Sequence, residues 1–404
     1  MDPNFLPWLF LKQFYPLIVI ILLVLFKYIT CLQVAVTYLI FCCYWYFLPN
    51  NKLLYNKTNT VISSILKKCP IITSLNYQPP FFFALNPFQL VLLASSIVTP
   101  KQKVKVTRQN IGECGVTLDW VEYEGISNDR TKPILIILPG LTGCVKDAYV
   151  MNMVDQGIKN GYNVAIYQMR VLSPNVKLPQ DGTHFNLFDD VDKMFDEVLK
   201  KYGNDAKIYA IGFSYGANQI VRYLGEYNYK NKKVQGAVSI SNPYDFMVSS
   251  RISKDTLYDR MLLFFLQKVY KKVGPALVQD KKLNINDKAI KETTSLHTFD
   301  KYFTAPILGF DSPSDYYRNI GCARFIKNVD VPLLCIHSLD DAVTSSKVIP
   351  YDDIELNSNV VLLTTGKGTH SCFLEDDGIF RVKQWVPKPA VEFINAIHNN
   401  STKQ

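Results

Sequence analysis

Short apolar runs alternate with longer amphipathic segments along the chain from Thr107 onward. Runs rich in β-branched residues, such as Val116–Tyr123, Ile134–Leu138 and Asn163–Gln168, predict strands, whereas Leu187–Tyr202 carries its apolar side chains at helical spacing. Strands without polar alternation are typical of a parallel sheet that helices cover on both faces. The pattern therefore predicts an α/β fold with a mostly parallel sheet.

The same alternation continues further along the chain, with one interruption. Four more predicted strands are Lys207–Ile211, Val234–Ser241, Val331–Ile336 and Val360–Leu363. Between the second and third of these, residues 242–330 show two helical patterns, Lys254–Val273 and Lys282–Leu296, and no strand pattern. Helices inserted above the carboxyl edge of a sheet can cover a site there, so we predict a lid. Its apolar run Met261–Leu266 fits either core packing or a surface for lipid or an acyl chain.

The most apolar part of the chain precedes this region. Tyr28–Leu48 is long enough to cross a bilayer, since a helix of about 20 apolar residues suffices, and it ends in interfacial aromatic residues. Leu6–Phe26 contains Lys12 and Gln13, and it fits a second span, an interfacial helix or part of one long helix. A signal peptide is disfavoured because its apolar core is usually only about 7–15 residues long. We predict three regions: an anchor at 1–50, a linker and entry segment at 51–106, and one large domain of catalytic size at 107–400 that contains the insertion 242–330.

Charge and cysteine content exclude several other classes of protein. The net charge of +9 is spread over many lysines, which fits a solvated surface or an anionic membrane better than a nucleic-acid site. The nine cysteines lack paired spacing, so the sequence predicts neither a disulfide framework nor a metal site. Lysines flank the apolar segment on both sides. We therefore expect an endomembrane protein, and the side that the domain faces stays open.

A glycine-rich motif interrupts the sheet pattern at Gly212-Phe213-Ser214-Tyr215-Gly216. It stands where a predicted strand turns directly into a predicted helix, which is the context of a nucleophile elbow. Side chains at Gly212 or Gly216 would collide with neighbouring backbone in so tight a turn, and the serine hydroxyl would be exposed. An ordinary glycine-rich turn is the alternative, because GxSxG also occurs by chance. We predict that Ser214 is a nucleophile.

A serine nucleophile needs a histidine base and a carboxylate that orients the base. On a fold of this type both follow the serine along the chain. His370 lies just after the last predicted sheet strand, whereas the other four histidines lie before the serine, in the insertion, within a strand or near residue 400: His184, His297, His337 and His398. His184 also begins an HxxxxD spacing found in some acyltransferases, although it fits the start of a helix better. We predict His370 as the base.

Two neighbouring acids, Asp340 and Asp341, follow the predicted strand Val331–Ile336. Their spacing alone does not separate them as the orienting carboxylate. The oxyanion of the reaction needs two backbone amides, one after the nucleophile and one in a loop after an earlier strand. These positions correspond to Tyr215 and Leu141. The chemistry requires no metal and no organic cofactor.

Six segments together resemble a known family. They are LPGLTG (138–143), IGFSYGAN (211–218), SNPYDF (241–246), DYYR (315–318), VPLLCIHSLDDAV (331–343) and GTHSCFLE (368–375). With the apolar N-terminal segment, they resemble the membrane-anchored α/β-hydrolase-domain lipases, which include YheT, phospholipase and monoacylglycerol lipase relatives. The resemblance implies the α/β-hydrolase fold and glycerolipid substrates. The Ala-Val after Asp341 resembles the sequence that follows the family's acid, so we predict Asp341 as the triad acid, with Asp340 as a neighbour that could cap or tune it. One departure is Tyr167–Leu172, which keeps Arg170 of the family's Asn-x-Arg-Gly segment but lacks its glycine.

The residues and the resemblance predict a serine hydrolase that cleaves fatty acyl esters of membrane lipids. Ser214 would attack the ester carbonyl, His370 would take its proton, and water would release the acyl group. One alternative is an acyltransferase that passes the same acyl group to an alcohol. Another is a non-catalytic membrane receptor or scaffold. The expected partners are a lipid ester and the bilayer, without nucleic acid, and the oligomeric state stays open.

Overall fold

A computed structural model gives the fold. It describes residues 21–22, 31–46, 51–80, 104–112, 115–125, 129–170, 186–278, 285–377 and 382–401. The strands within these ranges are β1 (Lys52–Tyr55), β2 (Val104–Ile111), β3 (Val116–Tyr123), β4 (Ile134–Leu138), β5 (Asn163–Gln168), β6 (Ile208–Phe213), β7 (Val234–Ile240), β8 (Leu333–Ser338), β9 (Val360–Thr365), β10 (Leu374–Asp376) and β11 (Val382–Gln384).

Helices connect and cover these strands. They are α1 (Cys31–Tyr46), α2 (Thr60–Leu66), α3 (Pro70–Thr73), α4 (Ala148–Lys159), α5 (Leu187–Tyr202), α6 (Tyr215–Tyr223), α7 (Tyr229–Asn231), α8 (Phe246–Ser253), α9 (Leu257–Val278), α10 (Asp287–Lys291), α11 (Leu296–Phe299), α12 (Ala305–Ile307), α13 (Pro313–Ile320), α14 (Tyr351–Leu356) and α15 (Pro387–Ser401). The turns Leu224–Asn228 and Asp300–Thr304 are π-helical, and Ala323–Asn328 and Ser346–Val348 are 3-10 helices.

The strands β1 to β9 form one sheet in the order β1-β9-β8-β7-β6-β4-β5-β3-β2. All neighbouring pairs from β5 across β4, β6, β7 and β8 to β9 are parallel. Antiparallel pairing is confined to the two edges, where β1 joins β9 and where β3 joins β5 and β2. The prediction of a mostly parallel sheet is confirmed. Because parallel strands end at one edge, the loops after β4, β6, β8 and β9 meet there.

Each central strand buries both of its faces. In β4, Ile134, Ile136 and Leu138 pack into one core with α5, α6 and the insertion, while the two side chains between them pack into a second core with α4 and α15. All five side chains are fully buried. Alternate side chains of a strand point to opposite faces, so a sheet covered on both sides has continuous apolar strands.

The insertion between β7 and β8 is helical, as predicted, and the described residues of 242–330 contain no strand. The predicted helix Lys282–Leu296 is wrong in extent, because α10 and α11 are separate short helices. Asn286 accepts a hydrogen bond from the Ala289 amide and begins α10. Ser295 accepts one from the Thr298 amide and begins α11. These two N-caps divide a sequence whose apolar spacing resembles one continuous helix.

The segment that we predicted as a linker contributes to the sheet edge. β1 pairs antiparallel with β9 over four residues. Ile62 and Ile65 of α2 are buried in the same core as α15. The Asn51 side-chain amide donates to the carbonyls of Leu75 and Tyr77, both at 2.8 Å. A four-residue strand is too short to produce a recognisable alternation, which explains why the sequence did not indicate it.

Most of the predicted anchor lies outside the described residues, including all but residues 21–22 of Leu6–Phe26 and both ends of Tyr28–Leu48. The described part of the second run is α1, which has 16 residues. Its side chains Val36, Leu39 and Ile40 are 46%, 52% and 63% exposed. No helix within the described ranges has both the length and the apolar character needed to span a bilayer.

Candidate active site

Ser214 lies in a strained turn between β6 and α6. Its φ is 51° and its ψ is −115°, a conformation that residues other than glycine rarely adopt. A side chain at Gly212 would place its Cβ 2.6 Å from the Ala217 backbone. A side chain at Gly216 would overlap the carbonyl of Leu138. Glycine is therefore required on both sides of the serine, as the strand-turn-helix pattern predicts.

His370 and Asp341 form a hydrogen-bonded pair. The Nδ1 atom of His370 lies 2.9 Å from Oδ2 of Asp341. The Asp341 carboxylate also accepts the amides of Val343 and Thr344 at 2.9 and 2.8 Å, and the Thr344 hydroxyl at 2.7 Å. Burial by itself would raise the pKa of Asp341, but His370 and these donors lower it. Asp341 is thus held ionised beside the imidazole.

Asp340 faces a different set of partners. Its Oδ1 accepts the Thr369 amide at 2.8 Å and the Ser338 hydroxyl through a short hydrogen bond. Burial raises the pKa of Asp340 to about 6, against the effect of these donors. Of the two neighbouring acids, which spacing alone does not separate, Asp341 is the one that contacts His370, as the family resemblance implies.

The other histidines lie away from this pair or face other groups. His337 is fully buried in β8, where its Nε2 contacts the Thr344 carbonyl at 3.0 Å, and burial lowers its pKa. His297 belongs to α11 of the lid and His398 to α15. His184, with its HxxxxD spacing, lies outside the described residues. Among the described histidines, His370 is the one in contact with Asp341.

Ser241, directly after β7, links the loops that carry these side chains. Its hydroxyl accepts the Ser371 amide at 3.0 Å, and its carbonyl accepts the Thr344 hydroxyl at 3.3 Å. Its φ of 50° is another left-handed conformation. The neighbouring Ile240 carbonyl accepts the Ser214 amide at 2.8 Å. Sequence reasoning missed Ser241 and Thr344 as structural partners. The segment SNPYDF was the only signal near Ser241, and no signal marked Thr344.

The two predicted oxyanion donors lie near Ser214: Tyr215 follows it in the chain, and Leu141 belongs to a loop that lies against it. Tyr215 is the first residue of α6, and Leu141 follows Gly140, where an added Cβ would lie only 3.4 Å from the Cβ of Ser214. The Gly140 amide donates to the Tyr149 hydroxyl at 3.0 Å, which fixes this loop. Within the described part of the chain, neither the Leu141 amide nor the Tyr215 amide donates to a protein acceptor. Both can therefore donate to a ligand.

An apolar cavity of about 130 Å³ lies between this site and the lid. Ser214, Leu141 and Thr344 line its lower part, and the lid forms most of the wall. The apolar lid residues that line it include Leu262, Leu266, Val269, Phe299, Phe303 and Ile307. Asp300 is the only carboxylate among the described lining residues. No cluster of metal-binding side chains is found in the part of the chain that the structure describes.

Some side chains of the apolar run Met261–Leu266 are packed inside the protein, and others are exposed on its surface. Leu262 and Leu266 line the cavity, and Leu263 is buried in the core. Phe264 and Phe265 are 53% and 41% exposed on the outer side of α9. A helix turns about 100° per residue, so a continuous apolar run necessarily reaches both faces.

Asp300 is a buried acid in the insertion, and its ionisation lowers the stability of the folded chain. It is buried, accepts the Tyr317 hydroxyl at 2.6 Å, and burial raises its pKa to about 6. The ordinary value in an unfolded chain is about 3.9, so the folded state binds this proton more tightly. Stability therefore falls as pH rises from about 4 to 6, by roughly 3 kcal/mol at most, and the loss is complete above that range.

We expect Asp300→Asn to raise the melting temperature at pH 8 and to change it little at pH 4. Asparagine keeps the acceptor for Tyr317 without a titratable charge. Thermal unfolding at both pH values measures the effect, and Asp311→Asn, at an exposed position of the lid, is the matched control. Equal shifts at the two pH values would contradict the electrostatic explanation.

The family model described as alpha/beta hydrolase fold matches residues 133–377. This match covers more than half of the chain and includes Ser214, Asp341 and His370. The chain belongs to the α/β-hydrolase fold family. The predicted α/β-hydrolase fold with a mostly parallel sheet is thereby confirmed, whereas the predicted N-terminal anchor stays a prediction.

Curated relatives place the chain more narrowly. It is 29% identical over 277 residues to "Embryogenesis-associated protein EMB8" of Picea glauca, covering 67% of this chain and 60% of that protein. It is 26% identical over 340 residues to "Phospholipase ABHD3" of Homo sapiens, covering 81% and 80%. It is 26% identical over 287 residues to "Monoacylglycerol lipase" of Saccharomyces cerevisiae, covering 69% and 62%. The chain thus spans less than two thirds of the first and third relatives. The predicted resemblance to the lipase branch and the predicted enzyme class are confirmed.

Proposed function

We propose that this protein is a serine hydrolase that cleaves fatty acyl esters of membrane lipids, either phospholipids or acylglycerols. The observation that carries the proposal is the Asp341–His370 pair at the same sheet edge as the strained Ser214, below an apolar cavity. The relatives named phospholipase and monoacylglycerol lipase support lipid esters as the substrate class.

The proposed reaction follows from the hydrogen bonds around His370. Asp341 occupies the Nδ1 side of the ring, so Nε2 is left to take the proton of Ser214. The serine oxygen bonds to the ester carbonyl carbon, and the amides of Leu141 and Tyr215 stabilise the resulting oxyanion. His370 then gives its proton to the leaving alcohol. Water attacks the acyl-enzyme with His370 as base again, and the fatty acid leaves.

The cavity supports an acyl chain as the group bound next to Ser214. Its lining is formed mainly by leucine, valine, isoleucine and phenylalanine side chains, which stabilise a hydrocarbon chain by removing it from water. Ser214 and Leu141 both line the cavity, so an acyl chain bound there would place its ester carbonyl near the nucleophile and an oxyanion donor.

A fluorophosphonate probe tests this proposal directly. The native chain should be labelled, whereas Ser214→Ala should not, and Ser64→Ala at an exposed position of α2 should be labelled as the native chain is. Failure to label the native chain would favour the non-catalytic receptor or scaffold. Products formed from a lipid ester in the presence of a short alcohol would identify acyl transfer if a new ester exceeded the free acid.

We also propose that the N-terminal apolar segment anchors the protein in a membrane. The support is the apolar sequence of α1, which contains no charged residue, and the exposure of Val36, Leu39 and Ile40 on its surface. Large apolar side chains exposed side by side are costly in water and favourable in lipid. The outer face of α9 also exposes apolar side chains, namely Phe264 and Phe265. The Nζ atom of Lys268 lies 4.2 Å from the centre of the Phe264 ring, so a positive charge accompanies this apolar surface.

We expect the double substitution Phe264→Ser and Phe265→Ser to lower hydrolysis of vesicle lipids by about 10-fold or more. Transfer of two partly exposed aromatic rings into a bilayer is worth about 2 kcal/mol. Hydrolysis of a soluble short-chain ester should stay unchanged, because neither ring lines the cavity. Leu356→Ser, at an 81% exposed position of α14, is the control. An equal loss on both substrates would show that α9 acts through folding and not through lipid contact.

A further inference from the structure

Asp340 joins the two loops that carry Asp341 and His370. It lies in the loop after β8, directly before Asp341. Its Oδ1 accepts the amide of Thr369, which lies in the loop after β9 and directly precedes His370, at 2.8 Å. One hydrogen bond therefore connects the backbone next to the imidazole with the backbone next to its carboxylate partner.

The loop after β9 has an unfavourable backbone conformation. Gly368 has a φ of 145°, and Thr369, Ser371 and Phe373 have φ values of 52°, 60° and 42°. Non-glycine residues adopt such values only where surrounding contacts hold them, at a cost of about 1–3 kcal/mol each. The contacts that hold this loop consequently determine where the His370 ring lies.

The amides on both sides of His370 are bound by side chains from neighbouring loops. Asp340 accepts the preceding amide, from Thr369, and Ser241 accepts the following amide, from Ser371. The bond to Asp340 is charge-assisted when the carboxyl is ionised, and such bonds are roughly twice as strong as neutral ones. Asp340 is therefore the stronger of the two anchors.

The surroundings of Asp340 favour a permanent structural partner over a mobile one. Its Oδ2 is buried, and the Ser338 hydroxyl donates to its Oδ1. The positive charge of the buried Lys367 favours the ionised form of the Asp340 carboxyl group. Asp341, Tyr77 and Cys372 are further titratable groups close enough to Asp340 to interact with it electrostatically. A buried carboxylate with fixed donors loses little further entropy when it orients an amide.

We propose that Asp340 is a positioning residue for the reaction of the site: through the Thr369 amide it holds the His370 backbone at hydrogen-bonding distance from Asp341. The two adjacent acids then have separate tasks. Asp341 binds the imidazole itself, and Asp340 fixes the loop from which the imidazole projects. This inference rests on the proposed hydrolase function.

Steady-state hydrolysis of a soluble short-chain ester by the full chain tests the inference. Asp340→Ala should lower kcat by about 10- to 100-fold and leave KM nearly unchanged, since a misplaced base affects the chemical step and not substrate binding. Asp340→Asn keeps an oxygen that accepts the Thr369 amide, so its kcat should return to within about 3-fold of the native value. Asp352→Ala, at an exposed position of α14, is the matched control.

Three outcomes separate the possible failures. Native kcat in Asp340→Ala would overturn the positioning role. A kcat in Asp340→Asn as low as that of Asp340→Ala, with native melting temperature, would overturn the role of the Thr369 hydrogen bond. Absence of ester hydrolysis by the native chain would instead reject the proposed function. If Asp340→Ala does not fold, a kcat of Asp340→Asn at least 10-fold below the native value, at native melting temperature, would still overturn the role of the Thr369 hydrogen bond, because this variant keeps the acceptor oxygen.

Discussion

Replacing Ser214 by alanine is expected to lower kcat for ester hydrolysis by about 10⁴- to 10⁶-fold. Other hydroxyl groups, such as that of Thr344, also line the cavity, but Ser214 is the described lining residue with a left-handed backbone in a strand-to-helix turn. We therefore expect none of them to replace it as nucleophile. The amides of Leu141 and Tyr215 and the apolar cavity would remain, and they account for any residual rate over water.

The folded state should tolerate this substitution. Alanine at position 214 keeps the φ of 51° at a cost similar to that of serine, and the serine amide donates to the Ile240 carbonyl through the backbone only. The measurement is the initial rate at saturating ester, together with the melting temperature. Ser64→Ala should retain the native rate. A Ser214→Ala variant with native melting temperature and native kcat would exclude covalent catalysis at this residue.

Asp341→Asn is expected to lower kcat by about 10³- to 10⁴-fold with little change in KM. The carboxylate oxygen lies 2.9 Å from Nδ1 of His370, and in the proposed reaction it would stabilise the imidazolium that forms when Ser214 attacks. An asparagine amide can face Nδ1 with its NH₂ group, which favours the wrong tautomer, and it carries no compensating charge. The loss should therefore appear in the chemical step.

Asp340→Asn is the matched comparison, since it makes the same chemical change one residue earlier. We expect it to stay within about 3-fold of the native kcat, because the contact with Thr369 survives. Rates for the two variants at saturating ester, with melting temperatures alongside, decide which acid serves His370. A large loss in Asp340→Asn combined with a small loss in Asp341→Asn would reverse the assignment made from the hydrogen bonds.

The strands and the nucleophile turn could be predicted from the sequence because their signals are local. The runs Val116–Tyr123, Ile134–Leu138 and Asn163–Gln168 coincide with β3, β4 and β5. Gly212 is needed because the backbone of Gly216 and Ala217 lies against it in the same turn, whereas Gly216 is needed because of the Leu138 carbonyl in the distant loop after β4. The strands and the close turn at Gly212 depend on neighbours in the chain, so a short stretch of sequence contains their physical cause.

Contacts between distant parts of the chain determined how the side chains of the candidate site are arranged. Asp340 and Asp341 have almost the same sequence environment, and they differ because each contacts a different partner 29 positions away, the Thr369 amide for Asp340 and the His370 ring for Asp341. The link from Ser241 to Ser371 spans 130 positions. Sequence alone thus determined which strands and which serine form the framework, and the family resemblance favoured Asp341. Only the tertiary structure decided which acid meets the histidine, because side-chain direction in a loop is set by its distant hydrogen-bond partners.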